Sequence, residues 1–79
     1  MNIEVKLFGT LRDYLPETSS GFSFGLEIKR GFTVRDLMNH LRIPAGVPAI
    51  ILVNSTKARH EKVLQSGDLV TIIPPINGG

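Results

Sequence analysis

Polar and apolar positions alternate from the start of the chain. In residues 2–8, N-I-E-V-K-L-F, Ile3, Val5 and Leu7 fall on one face, Glu4 and Lys6 on the other. A period of two predicts a strand with one buried face, closed by a turn where Phe8 meets Gly9. The period then lengthens. Leu11, Tyr14 and Leu15 are spaced for a short helix that Pro16 ends, with Thr10 and Asp13 placed as a capping box. Thr18, Ser19, Ser20 and Gly21 form a polar turn. Alternation returns over residues 22–29, where Phe22, Phe24, Leu26 and Ile28 share one face of a second strand, and Arg30-Gly31 turns the chain.

The next segment is the clearest helix. Thr33 is its N-cap, Asp36 stands three residues on, and Val34, Leu37, Met38 and Leu41 form one apolar stripe. Phe32 and Leu37 are spaced as a hydrophobic staple, Arg42 suits the C-terminal dipole, and Pro44 and Gly46 end the helix. Residues 49–53, A-I-I-L-V, are apolar without a break, which predicts a central strand covered on both faces. Asn54-Ser55 turns the chain, residues 57–62 are largely charged, and Val63-Leu64 supplies two apolar contacts in a loop or 3₁₀ segment. After a tight turn at Ser66-Gly67-Asp68 comes D-L-V-T-I-I-P-P-I-N-G-G, whose Val70, Thr71, Ile72 and Ile73 mark a last strand.

Two strands before the main helix and two after it predict an α+β fold: a mixed sheet of about four strands, one main helix packed on it and a short N-terminal helix. That order describes a β-grasp, or ubiquitin-like, domain over residues 1–74 with a flexible tail at 75–79 ending in Gly-Gly. A ferredoxin-like plait is the alternative. It needs a second long helix where the chain offers only S-T-K-A-R-H-E-K-V-L.

Composition narrows the chemistry. Seventy-nine residues make one small domain without room for a large substrate cavity. With no cysteine there is no disulfide, thiolate nucleophile or sulfur ligand. Nine Lys and Arg against seven Asp and Glu are scattered, so the net charge of +2 is weak support for nucleic acid. Lys29, Arg30, Arg35 and Arg42 form a basic cluster only if the fold gathers them. No apolar run is long enough to cross a bilayer and no signal peptide precedes the first strand, which makes a cytoplasmic location the default. His40 and His60 lack metal-ligand spacing, the seven carboxylates stand singly, and the glycines form no phosphate loop. The expectation is a chain that binds no metal or cofactor itself.

The C-terminal stretch is what remains. Pro74 and Pro75 have no backbone donor and a fixed φ, so they stop the ladder and set the exit direction of the tail. Ile76 and Asn77 lead to Gly78 and Gly79. Residues without β-carbons can thread a narrow tunnel and present a terminal carboxylate to another enzyme. A carboxylate is a poor electrophile, so a partner has to activate it.

V-K-L-F-G-T-L-R-D-Y-L at 5–15, F-T-V-R-D-L at 32–37, S-G-D-L-V at 66–70 and I-I-P-P-I-N-G-G at 72–79 resemble the MoaD/ThiS family of ubiquitin-like sulfur carriers. The P-P-x-x-G-G ending, the length and the short N-terminal helix are most similar to the small subunit of molybdopterin synthase. The compact link at residues 42–48 and the polar Asn77 depart from the usual pattern. The resemblance implies a non-catalytic carrier that serves as the sulfur-donating subunit of a synthase complex. An E1-like enzyme using ATP and Mg adenylates Gly79, and a sulfurtransferase converts it to a thiocarboxylate. The large synthase subunit then receives the tail and precursor Z accepts the sulfur. Gly78 and Gly79 carry the reacting end, Pro74, Pro75, Ile76 and Asn77 position it, and Phe8 and Ile72 contribute to a partner interface. Neither nucleic acid nor membrane is an expected partner. Similar carriers serve thiamine synthesis, transfer-RNA thiolation and other pathways. The remaining alternatives are a ubiquitin-like conjugation or binding module and an RNA-binding β-grasp domain.

Overall fold

Ile3, Val5 and Leu7 take the buried face of strand β1, Asn2–Leu7, in the computed structural model, which describes residues 1–17 and 19–75. β1 pairs antiparallel with β2, Ser23–Glu27, bringing Ile3 opposite Leu26 and Val5 opposite Phe24. The backbone continues this pairing past both strand ends, with Leu7 N–H donating to the Phe22 carbonyl and Ile28 N–H to that of Met1. Helix α1, Val34–His40, crosses to β3, Ile50–Val53. The two-residue β4, Thr56–Lys57, folds back on β3, and β5, Leu69–Ile73, enters between β1 and β3. The sheet order is β2-β1-β5-β3-β4, with β1 and β5 parallel and the other pairs antiparallel. This is the expected α+β β-grasp with a mixed sheet. The short β4 adds a fifth strand to the four legible from the sequence.

One face of the sheet carries the core. Val5 stands beside Val70 and Leu7 beside Ile72, while Ile72 and Val70 pair on their other side with Ile51 and Val53. Leu37 and Val34 of α1, Leu11 and Leu64 close this layer, and no buried polar side chain occurs among the described residues. Dispersion and hydrophobic burial therefore hold the layer together without desolvated polar groups to satisfy.

The N-terminus of α1 is fully tied. Thr33 Oγ1 accepts from Asp36 N–H at 3.1 Å and the Asp36 carboxylate accepts from Thr33 N–H at 2.9 Å, the reciprocal capping box expected from the sequence. The next two orphan donors go to the crossing segment: Val34 N–H to the Lys62 carbonyl and Arg35 N–H to that of His60, both at 2.9 Å.

The other end corrects the expected stop. α1 closes before Pro44, because Arg42 adopts φ 59°. Arg42 N–H bonds to the Asn39 carbonyl and Ile43 N–H to that of Met38, a Schellman closure built on a non-glycine residue. The first helix differs too. Gly9–Tyr14 is a 3₁₀ helix with Phe8 at its N-cap and no side-chain cap, so Thr10 and Asp13 form no capping box. It is too short for the α pattern, and the one side chain it buries is Leu11.

Residues 49–53 also depart from expectation. β3 lies next to the edge strand, and Ile50 and Leu52 are only half-buried while Ile51 and Val53 are in the core. The helix covers one face of the sheet, so an unbroken apolar run leaves half its side chains on the open face.

Replacing Arg42 by Gly removes the left-handed penalty on an L-residue, offset in part by the greater freedom of the unfolded chain. Arg42→Gly is expected to stabilise the domain by about 0.5–1 kcal/mol, raising Tm by roughly 2–8 °C in thermal denaturation.

Candidate functional site

The site is the end of β5, and its position is set from the strand's start. Asn54, at φ 52°, donates from Nδ2 to Asp68 Oδ1 at 2.9 Å and accepts from Leu69 N–H at 2.9 Å. Asp68 Oδ2 accepts from Gln65 N–H at 2.8 Å, and Gly67 takes φ 88° in the predicted turn. The β3–β4 turn and the entry to β5 are thereby locked together, which fixes the register that places Ile73 opposite Ile50. Asn54 read as a simple turn residue in the sequence. Its second role depends on a residue fourteen positions away.

At the far end the β1 side of the ladder finishes with Phe8 N–H donating to the Ile72 carbonyl at 3.1 Å, while on the β3 side the pairing runs to Ile50 opposite Ile73. Pro74 follows, half-buried, and Pro75 is exposed. A β-carbon added to Gly9, whose φ is 59°, would lie 2.8 Å from Pro74 Cγ and 3.2 Å from Cδ. The bare α-carbon of Gly9 is thus the seat of the proline ring. Because β1 and β5 run parallel, the turn after β1 and the exit from β5 share one edge of the sheet. Ile76, Asn77, Gly78 and Gly79 lie outside the described residues, as does the tail expected at 75–79 from its second residue on.

Phe8, expected at a partner interface, is half-buried beside this exit and packs its ring on Phe22, with centroids 5.0 Å apart and planes at 39°. Phe22 itself is 41% exposed, so the pair leaves aromatic surface open at the turn. Ile72, assigned to the same interface, is fully buried on the helix side, and its partners Leu7 and Ile51 are also core residues. It has no surface to offer, so the surface residue at this end of β5 is Ile73. With Ile50, Leu52 and Leu69, Ile73 forms a half-exposed, mainly apolar patch on the open face of β3 and β5, with Thr71 in its middle and Lys6 and Glu4 on β1 at its border. The residue type at 73 was legible in the sequence. Its side required the register.

The remaining candidate groups are dispersed. His40 and His60 are both exposed. Among the described residues no three His, Asp or Glu gather in metal-binding reach. Arg35 pairs with Glu61 at 3.1 Å, whereas Arg42 stands at the opposite end of α1, about 10 Å further along its axis. Arg35 and Arg42 are therefore not gathered into one basic cluster. A hydrogen bond from its own backbone N–H lowers the Glu61 carboxyl from its usual range; desolvation opposes this in part, and Arg35 and then His60 lower it further. The contribution of this pair is present above the ordinary carboxylate pKa and fades as pH falls through the lowered value. With both side chains well exposed it is worth little. Two open grooves, one beside β4 and one between α1 and residues 43–49, do not include Pro74 or Pro75. No helix among the described residues is long and apolar enough to cross a membrane.

The sequence matches the model of the ThiS family over residues 5–79. No curated protein matches it. Among solved structures, small archaeal modifier protein SAMP1 from Haloferax volcanii is similar at TM-score 0.75 and 20% identity over 100% of both chains. A putative molybdopterin converting factor subunit 1 from Pyrococcus furiosus is similar at TM-score 0.74 and 22% identity, covering 95% of this chain and 98% of that one. A chain from the complex of subunits 1 and 2 of the molybdopterin-converting factor from Helicobacter pylori is similar at TM-score 0.65 and 21% identity over 100% of both chains. At these identities the likeness concerns the fold.

The contrast between adjacent residues of β5 is measurable. Ile72→Ala is expected to cost about 2–5 kcal/mol, and Ile73→Ala, at a half-exposed site, about 1 kcal/mol. Urea denaturation of both variants gives the comparison, and equal losses would show that the assigned faces are wrong.

Proposed function

The chain belongs to the ThiS family of β-grasp sulfur carriers, with residues 5–79 matched, and on that premise we propose that its reactive group is the carboxylate of Gly79. The observation that carries this reading is the P-P-x-x-G-G ending placed directly after a strand that is hydrogen-bonded on both sides. An anchored strand hands two stiff residues and a narrow tip to another protein's active site, at little cost in ordering the domain itself.

The carrier contributes the acyl group and its partners contribute the catalysis. On an E1-like enzyme the Gly79 carboxylate attacks the α-phosphorus of ATP, held with Mg, and pyrophosphate leaves. A persulfide sulfur from a sulfurtransferase attacks the acyl carbon and expels AMP. A second thiol of that partner then cleaves the S–S bond, forming a disulfide there and releasing the thiocarboxylate. Glycine at 78 and 79 lets the chain lie extended without side-chain obstruction while this occurs. The carrier itself needs no metal or cofactor for the cycle.

The apolar patch of Ile50, Leu52, Leu69 and Ile73, with the Phe8–Phe22 pair at its tail end, is the proposed docking face. An unbroken apolar strand that the chain's own helix covers on one side calls for cover from elsewhere. We assign the recipient as precursor Z in molybdopterin synthesis, with the chain as the small, sulfur-donating subunit of the synthase. The likeness of its fold to a converting-factor subunit taken from a two-subunit complex favours a protein partner of this kind. The similarly close fold of a small archaeal modifier protein favours a second reading, in which the activated Gly79 forms an amide with a lysine of a target protein. Carriers for thiamine synthesis or transfer-RNA thiolation share the activation step and differ in the recipient.

Incubation with the E1-like enzyme of the same genome, ATP and a sulfide donor is expected to raise the intact mass by the difference between sulfur and oxygen. Deleting Gly78 and Gly79 abolishes the gain while leaving the thermal transition in place. Absence of the gain in the full chain would overturn the carrier reading, and a branched peptide joining the C-terminal segment after Lys62 to target lysines through Gly79 would instead establish conjugation. Ile73→Asp is expected to weaken binding to the activating enzyme about tenfold or more by titration calorimetry, with Tm measured alongside to exclude unfolding.

A further inference from the structure

Several glycines of this chain take left-handed backbone, and they do so for two different reasons. Gly21, Gly31 and Gly67 have φ of 67°, 88° and 88°, and a β-carbon on any of them would meet nothing within 4 Å. Their turns require the backbone angle alone. Gly9 requires the angle and also the empty space, because Pro74 fills the volume that a side chain would occupy.

Pro74 is where the backbone ladder stops. Phe8 N–H to the Ile72 carbonyl is the last bond holding β5 to the turn after β1, and a proline has no N–H with which to continue. On the other side β5 is held as far as Ile73 by its pairing with Ile50, and beyond Ile73 the direction of the chain depends on how the Pro74 ring packs. Its close neighbour is the α-carbon of Gly9, held in place by β1 behind it and by the 3₁₀ helix ahead, whose Leu11 N–H returns to the Phe8 carbonyl at 3.2 Å.

We infer that Gly9 is a positioning residue for the chemistry at Gly79: its missing side chain seats the Pro74 ring and so sets the line along which the chain leaves β5. This rests on the carrier reading above. A methyl carbon 2.8 Å from Pro74 Cγ is about 1 Å inside ordinary carbon–carbon contact, so the ring must move away. Gly79 follows Pro74 by five residues in sequence, so the direction set at Pro74 is the one from which the tail approaches the activating enzyme. Misplacement on the order of 1 Å can cost about a hundredfold in rate.

Gly67→Ala provides the control, since it imposes comparable backbone strain in open space. ATP–pyrophosphate exchange with the E1-like enzyme of the same genome is measured for the wild type, Gly9→Ala, Gly67→Ala, Pro74→Ala and the Gly9→Ala/Pro74→Ala double variant. Gly9→Ala is expected to lower kcat about tenfold or more with KM for the carrier nearly unchanged, while Gly67→Ala loses a similar amount of Tm and keeps its kcat. In the Pro74→Ala background the Gly9 substitution is expected to have no further effect, because the ring it displaces is gone. Nuclear Overhauser contacts between the Gly9 α-protons and the Pro74 ring are expected in the wild type and lost in Gly9→Ala. Equal kcat for Gly9→Ala and Gly67→Ala, or independent and multiplying effects of Gly9 and Pro74, overturns the inference alone. A wild-type chain inert toward the activating enzyme overturns the carrier reading and this inference with it.

Discussion

The parallel pairing of β1 with β5 is the constraint on which the rest of the structure depends. It joins the two ends of the chain in the middle of the sheet, with Val5 beside Val70 and Leu7 beside Ile72. A parallel pair cannot be closed by a hairpin, so everything between residues 8 and 68 acts as its crossover. The pairing brings the turn after β1 to the exit of β5, and no other arrangement of these strands would set Gly9 against Pro74. The same pairing places the most buried strand immediately before the C-terminal residues proposed to react. Pulling the tail therefore loads the centre of the sheet and its core, not a frayed edge.

A second consequence follows from having one helix. The helix layer covers one side of a five-stranded sheet, and on the other side Ile50, Leu52, Leu69, Thr71 and Ile73 stay half-exposed. Evenly polar residues would suit that exposed face, and Lys6 and Glu4 supply them on β1. Across β5 and β3 the face is instead mainly apolar, with Leu69, Ile73, Ile50 and Leu52 around a single Thr71. Surface of this kind carries a solubility risk that protein–protein contact removes. The apolar face, the aromatic pair and the proline exit lie together, which is the geometry a carrier needs if one partner must hold the domain and take the tail in the same encounter.

Small size shapes the remaining features. With a thin core, local devices carry much of the specificity. The Thr33–Asp36 box starts the helix, the 60–64 segment takes its next two donors, and the Asn54–Asp68 lock sets where β5 begins. Arg42 and Ser55 in left-handed backbone are exceptions, residues whose local preference opposes the conformation that the fold imposes.

The sequence by itself determined much of this protein. Alternation fixed β1 and β2 and their buried faces, the Thr33–Asp36 spacing fixed the start of α1, and the prolines fixed where the last strand stops. These are nearest-neighbour effects, governed by backbone sterics and by periods of 2 and 3.6 residues. The Gly-Gly end was likewise legible, together with the family resemblance that gives it a chemical meaning. Other features belong to tertiary structure, because each depends on residues far apart in the chain. An apolar run reads alike whether one face or both are covered, so the open side of Ile50 and Leu52 appeared only with the sheet order. Ile72 and Ile73 are chemically identical, and only the register with Leu7 and Ile51 puts the first in the core and the second on the surface. Gly9 looked like one more turn glycine until parallel pairing brought Pro74 to its α-carbon. Local chemistry marked the end of the chain as the site, and long-range pairing decided how that end is held.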